Sequence, residues 1–99
     1  MVRNEQTNQR ASRRFRLGNS MGLHARPASL MAQTVSQYSS KVTIRTESGG
    51  NEVNAASVLG ILTLAAEPGA HLEFTAEGDD ANEVLEALQE LFNDNFGEK

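Results

Sequence analysis

A histidine and an arginine stand two positions apart in residues 22–28, GLHARPA, and their types suggest phosphoryl chemistry. An imidazole can act as a nucleophile and form a covalent intermediate. An ordinary histidine has a pKa of about 6.5, so at pH 7 it is largely neutral and able to attack. A guanidinium can hold two phosphate oxygens at once. His24 is therefore the candidate nucleophile, and Arg26 is the candidate ligand of the phosphate.

The residues after this pair predict a helix that begins at the same place. Pro27 fits a first helical turn, where its missing N–H removes no hydrogen bond. Four apolar residues follow at helical spacing, namely Ala28, Met31, Ala32 and Val35. The free amides and the dipole of a helix N-terminus attract anions. We therefore expect His24 to lie where a loop enters the first helix, beside a ready-made phosphate site.

Alternating apolar and polar residues predict the strands that position this helix. The pattern occurs at residues 14–17, 41–46, 52–54 and 71–77, with a turn at 48–51. The alternation is clearest in residues 71–77, where every second residue is apolar. Because all four segments alternate, one face of each strand should be buried.

Helical spacing returns in two further segments. The first covers 57–66, with Ser57 as its N-cap and Pro68 and Gly69 as its stop. The second starts after Asp79 or Asp80, which would cap it, and its apolar stripe comprises Val84, Leu85, Leu88, Leu91 and Phe92.

The element order βαββαβα predicts an α+β fold. Strands with one apolar face favour a four-stranded antiparallel sheet covered on one face only, here by three helices in a two-layer open-faced sandwich. Residues 13–99 should form this domain, because 1–12 are polar and predict a flexible tail.

Composition narrows the classes of function. The chain has 99 residues, a net charge of -4, no cysteine and no apolar run long enough to cross a membrane. We expect no nucleic acid partner, because such binding needs clustered basic residues, and no membrane insertion. Nothing implies a cofactor or a metal, and a cysteine-free chain suits the cytoplasm. A chain this short favours a carrier or a binding module over a complete enzyme.

Other polar clusters have simpler interpretations. His71 falls on the polar side of its strand and should be solvated. The basic cluster of Arg10, Arg13, Arg14 and Arg16 is interpreted as a solvated tail and strand face. Five acidic residues near the last helix indicate capping and a solvated face, not a metal site: Asp79, Asp80, Glu83, Glu86 and Glu90.

Two segments, 22–28 (GLHARPA) and 54–62 (NAASVLGIL), resemble the HPr family of histidine phosphocarriers, and the resemblance covers about residues 13–96. It implies that His24 is phosphorylated on Nδ1 by enzyme I of the phosphoenolpyruvate-dependent phosphotransferase system and passes the group to enzyme IIA proteins. Arg26 would steady the phosphate, and the chain would be a carrier, not an enzyme. Ser57 matches the serine that HPr kinase/phosphorylase modifies in some bacteria.

Details within the family resemblance point toward its nitrogen-related variant, NPr. Residues 55–58 (AASV) and 91–96 (LFNDNF) resemble that variant, and Ala56 stands where sugar-type proteins often have a lysine. Both sugar uptake and nitrogen-type regulation remain possible tasks.

An apolar surface around His24 is expected to dock the partner proteins, and we expect a monomer. Its candidate residues are Ala28, Ser29, Leu59 and Leu62.

Two other classes of function stay open. A regulatory binding module would act without carrying phosphate, but relatives of that kind lack the active histidine. A hydrolase or transferase would use His24 on a small substrate, but it needs a pocket and an acid/base partner that the sequence does not indicate.

Overall fold

The computed structural model describes residues 9–98. Its elements are, in chain order, β1 (Arg10–Arg16), α1 (Ala25–Ser36), β2 (Lys41–Thr46), β3 (Gly49–Asn54), α2 (Val58–Leu62), β4 (His71–Glu77), α3 (Ala81–Asn93) and a 3₁₀ turn (Asn95–Gly97).

The four strands form one antiparallel sheet in the order β1-β4-β2-β3. All three helices pack on the same face, so the other face stays open, and the predicted α+β open-faced sandwich is confirmed. The alternation in β4 shows why: Leu72, Phe74 and Ala76 are fully buried while the residues between them are not. The predicted helical stripes meet these side chains, since Met31, Val84, Leu85 and Leu88 are also fully buried.

The first strand is longer than its sequence pattern predicts. β1 begins at Arg10, and residues 10–16 pair with β4 along its whole length. Residues 10–12, assigned to the tail from their polarity, therefore belong to the sheet. Two of the three have polar side chains that meet β4, such as Ser12 against Thr75 at 3.1 Å, and an apolar pattern does not detect them. The rest of the predicted tail, residues 1–8, lies outside the described residues.

The β2–β3 hairpin turns earlier than predicted. Thr46 pairs with Gly49, so the turn consists of Glu47 and Ser48, and β3 already includes Gly49 and Gly50. Both glycines have positive φ, 111° and 102°, a conformation that glycine adopts without strain inside an edge strand.

The second helix is much shorter than the predicted 57–66. α2 ends at Leu62, because Leu64 and Ala65 donate to Ile61 and Leu62 in tight turns, and Ala65 takes a left-handed φ of 51°. The chain therefore leaves the helix before the proline at 68 can stop it.

Asp80 precedes α3 as predicted, but its side chain does not cap that helix. Its two carboxylate oxygens accept from the backbone N–H of Ser39 and of Ser40, each at 2.9 Å, and from the Ser40 hydroxyl. These hydrogen bonds, first of all the one from the Ser40 hydroxyl, lower the pKa of Asp80 below its ordinary value. Asp80 thus ties the turn before β2 to the start of α3.

Candidate functional site

His24 is the N-cap residue directly before helix α1. It has an extended backbone (φ -132°, ψ -171°), and its carbonyl accepts the first helical hydrogen bond from Ala28 N–H at 3.1 Å. Its side chain forms no capping hydrogen bond, so the imidazole is not used to complete the helix. The side chain is 30% exposed. The predicted place of His24, where a loop enters the first helix, is the place it occupies.

The loop before His24 is fixed by close packing at Gly22. Gly22 has a φ of 71°, and a Cβ on it would lie 2.9 Å from the carbonyl oxygen of Ala66. Leu23, which is buried, donates its N–H to that same oxygen at 2.9 Å. Only a glycine allows both the left-handed backbone and this approach, so Gly22 sets the path that delivers His24 to the helix start.

The first turn of α1 offers donors and a cation. The N–H groups of Ala25 and Arg26 have no acceptor within residues 9–98, and Pro27 has no N–H to place there. The first turn contains no acidic residue that would repel an anion. The Arg26 side chain is exposed and forms no ion pair with any other described residue. Two amides, the positive end of the helix dipole and one guanidinium are therefore available beside His24.

A carboxylate from the far end of the described chain also lies at this site. Oε2 of Glu98 is 3.0 Å from Nε2 of His24, and Oε1 of Glu98 accepts from Nδ2 of Asn19 at 3.1 Å. The sequence analysis named neither Asn19 nor Glu98. No local pattern could pair Glu98 with His24, because only the folded chain brings them together. Asn19 stands five positions before His24, but its role depends on its burial to 1% exposure, which the sequence does not show.

The predicted regulatory residue has its expected capping role, whereas the predicted docking residues differ in how exposed they are. Ser57 caps α2, accepting from Gly60 N–H at 3.0 Å, as predicted. Leu59 is 77% exposed, whereas Ser29 and Leu62 are half-buried. Ala28 is fully buried in the core, so the expectation that it lines a docking surface is wrong.

Sequence reasoning missed one exposed apolar residue near the site. Met21 is 72% exposed and lies in the loop that leads to His24. Unlike Ala28, it is available to a partner. Its signal in the sequence was only that it is a large apolar side chain in a loop.

Comparison with known proteins decides the family. The family model described as "PTS HPr component phosphorylation site" matches residues 11–94, which include His24 and all elements from β1 to α3 except the first residue of β1. The chain belongs to the HPr family. The HPr phosphocarrier protein of Xylella fastidiosa is 40% identical over 80 residues, which cover 81% of this chain and 88% of the relative.

Solved and longer relatives agree with that assignment. The crystal structure of HPr-C-His from Thermoanaerobacter tengcongensis superposes with a TM-score of 0.83 at 38% identity, covering 90% of this chain and 98% of that one. The multiphosphoryl transfer protein of Salmonella typhimurium is 34% identical over 88 residues, which are 88% of this chain but 23% of that protein.

Other polar groups of this HPr-family chain lie apart from the site. An open cleft of about 540 Å³ runs between the β2–β3 turn and the segment before β4; His71 lines it, and neither His24 nor Arg26 does. His71 is exposed, with Nδ1 3.7 Å from a Glu47 oxygen, as expected for a solvated strand residue.

The basic residues of β1 mostly meet carboxylates. Arg10 lies 3.7 Å from Glu77, Arg13 lies 3.3 Å from Glu86, and Arg14 pairs with Glu47. These pairs favour the interpretation of the basic cluster as a strand face. Within residues 9–98, no helix is both long and apolar enough to span a membrane.

Proposed function

We propose that His24 is the residue on which this HPr-family phosphocarrier takes up and releases a phosphoryl group. The observation that carries the proposal is the setting of the imidazole. It stands at the N-terminus of a twelve-residue helix, next to two amides that have no acceptor and a guanidinium that has no ion-pair partner among residues 9–98. These groups suit an anion that must be held and then given away.

We infer that Nδ1 is the accepting atom. Nε2 is buried and faces Glu98, whereas the side chain as a whole is 30% exposed. A donor protein can therefore reach the ring only through its other atoms, and Nδ1 is the remaining nitrogen. Its lone pair forms the bond to phosphorus while the bond from phosphorus to the donor breaks and leaves its electron pair on the donor.

The amides of Ala25 and Arg26 and the Arg26 guanidinium are placed to hold the phosphoryl oxygens. Phosphoryl transfer needs mainly position and charge stabilisation. A shallow surface site can supply part of both, and the partner protein supplies the rest. On this proposal the chain is a carrier that returns to its unphosphorylated form in each cycle, not an enzyme that acts on a small molecule.

The proposed partners are enzyme I, as the phosphoryl donor, and enzyme IIA proteins, as the recipients. We propose that this chain binds them as a monomer. The exposed Leu59 supports a docking surface on the helical face, with Ser29 and Leu62 as half-buried neighbours and Met21 as an added candidate. Ser57 is a proposed site for HPr kinase/phosphorylase, because a phosphate there would add charge at the start of the helix that bears Leu59.

Labelling tests the proposal. The chain is incubated with enzyme I and labelled phosphoenolpyruvate, and the expected product carries one acid-labile phosphate that enzyme IIA removes. His24→Ala should take no label, and the control His71→Ala should take the full amount. Undiminished label on His24→Ala would contradict the proposal, and so would label that persists in acid.

A further inference from the structure

Glu98 makes contacts that link it to both the histidine and the loop before it. One carboxylate oxygen lies 3.0 Å from His24 Nε2, and the other accepts from Asn19 Nδ2 at 3.1 Å. The second hydrogen of that amide is donated to the Gly22 carbonyl at 2.7 Å. Asn19 is 1% exposed and the Glu98 side chain is 20% exposed. The carboxylate is therefore held by the same loop that delivers His24 to the helix.

The backbone before Glu98 is strained in a way that directs it to this place. Asn95 and Phe96 have left-handed φ angles of 54° and 56°, a conformation that asparagine tolerates but that costs free energy for phenylalanine. Burial offsets that cost, since Phe96 is 2% exposed and packs edge-on against Phe92 with ring centroids 4.8 Å apart. Glu98 N–H then donates to the Asn95 carbonyl at 2.9 Å. The turn brings the chain back from the end of α3 to the start of α1.

We propose that Glu98 is a positioning residue for His24, one that keeps the imidazole proton on Nε2 and the lone pair of Nδ1 free for phosphorus. This inference rests on the proposed function of His24. A carboxylate is an acceptor only, so beside Nε2 it favours the tautomer that carries a proton there. That tautomer is the one in which Nδ1 is a nucleophile.

The charge of Glu98 serves the transfer as well. When Nδ1 bonds to phosphorus and the donor's bond breaks, Nε2 keeps its proton, so the ring becomes positively charged. Glu98 lies on the side of the ring away from Nδ1, where it stabilises that charge without meeting the phosphoryl oxygens.

The contact is not yet a hydrogen bond in the unphosphorylated protein. Nε2 has no hydrogen-bond partner among residues 9–98, although Oε2 of Glu98 is 3.0 Å away. Such contacts often align only as the reaction proceeds. A small rotation of the ring aligns the pair, and the developing positive charge favours that rotation.

Two variants remove the charge of Glu98, one without and one with a change in side-chain size. Glu98→Gln removes the charge and keeps the size, and Glu98→Ala removes both. Each should slow phosphorylation of His24 by about fivefold, the effect expected of a partly exposed ion pair. The control Glu83→Gln makes the same charge change at the other end of α3 and should transfer at the wild-type rate.

The ring nitrogens give a readout that a structural role would not move. Long-range ¹H–¹⁵N spectra at pH 8.5, where imidazoles are neutral, report which nitrogen carries the proton. The wild-type ring should be protonated on Nε2, and Glu98→Ala should gain a population protonated on Nδ1. Wild-type rates in both variants, or an unchanged spectrum in Glu98→Ala, would overturn the proposal. The spectra need no donor protein, so the two proposals can fail separately. A wild type that takes no label would refute the function of His24, and the spectra would still show whether Glu98 determines the tautomer.

Discussion

The cap on α2 allows stability and partner docking to be separated at one residue. Gly60 N–H donates to the Ser57 hydroxyl at 3.0 Å, and the helix that this bond begins is only five residues long. Ser57→Ala removes the bond and should cost about 1 kcal/mol of the free energy of unfolding. For a domain of this size that corresponds to a fall in Tm of about 4–8 °C.

Ser57→Asp should have the opposite pattern. A carboxylate accepts the same N–H and is favoured by the helix dipole, so the Tm should equal or slightly exceed that of the wild type. The added negative charge lies two residues before the exposed Leu59 and should slow phosphorylation by enzyme I. Leu59→Glu should slow it too, without touching the cap.

The assay pairs Tm with the rate of label transfer from enzyme I for all three variants. Ser12→Asp is the matched control, because it adds the same charge on the open face of the sheet. Wild-type transfer by both Ser57→Asp and Leu59→Glu would refute the idea that partners dock on this face. Ser57 would then be only a cap.

Three further changes test other parts of the site and fold. Arg26→Ala should slow transfer at least tenfold, about 1.4 kcal/mol of barrier, with little change in Tm because the side chain is exposed; unfolding would show a structural role. Gly22→Ala forces a Cβ to 2.9 Å from the Ala66 carbonyl oxygen at positive φ, and should cost about 1–3 kcal/mol of stability and misplace His24; a wild-type Tm and rate would contradict this. The pKa of Asp80 is lowered in the folded protein, so its ionised form stabilises the fold above the ordinary carboxyl pKa, and this contribution is lost as pH falls through the lower folded value. The Tm difference between wild type and Asp80→Asn should therefore shrink from pH 7 to pH 3. A constant Tm difference would argue against this role of Asp80.

The sequence predicted those parts of the molecule that depend on local pattern. The bounds of β4, the helix entry at His24 and the cap at Ser57 all follow from residue type and spacing, and the structure has them. The family comparison agrees with the same motif.

Features that depend on tertiary packing were not predictable. The chain leaves α2 early and Ala65 takes a left-handed conformation, whereas the residues around it are good helix formers that predict a longer helix. Asp80 looked like a cap, but the backbone N–H groups of Ser39 and Ser40, 40 or more positions away in the chain, provide its hydrogen bonds. Burial of Ala28, by contrast, follows from the apolar stripe that it shares with Met31 and Val35, so its assignment to the docking surface was an error of interpretation.

The most direct test of the central claim locates the phosphoryl group on the protein itself. The chain is labelled with ¹⁵N in its histidines, phosphorylated by enzyme I, and studied for coupling between phosphorus and nitrogen. The account predicts coupling to Nδ1 of His24 and none to His71. Coupling to Nε2 of His24, coupling to His71, or phosphate on a hydroxyl oxygen would contradict it.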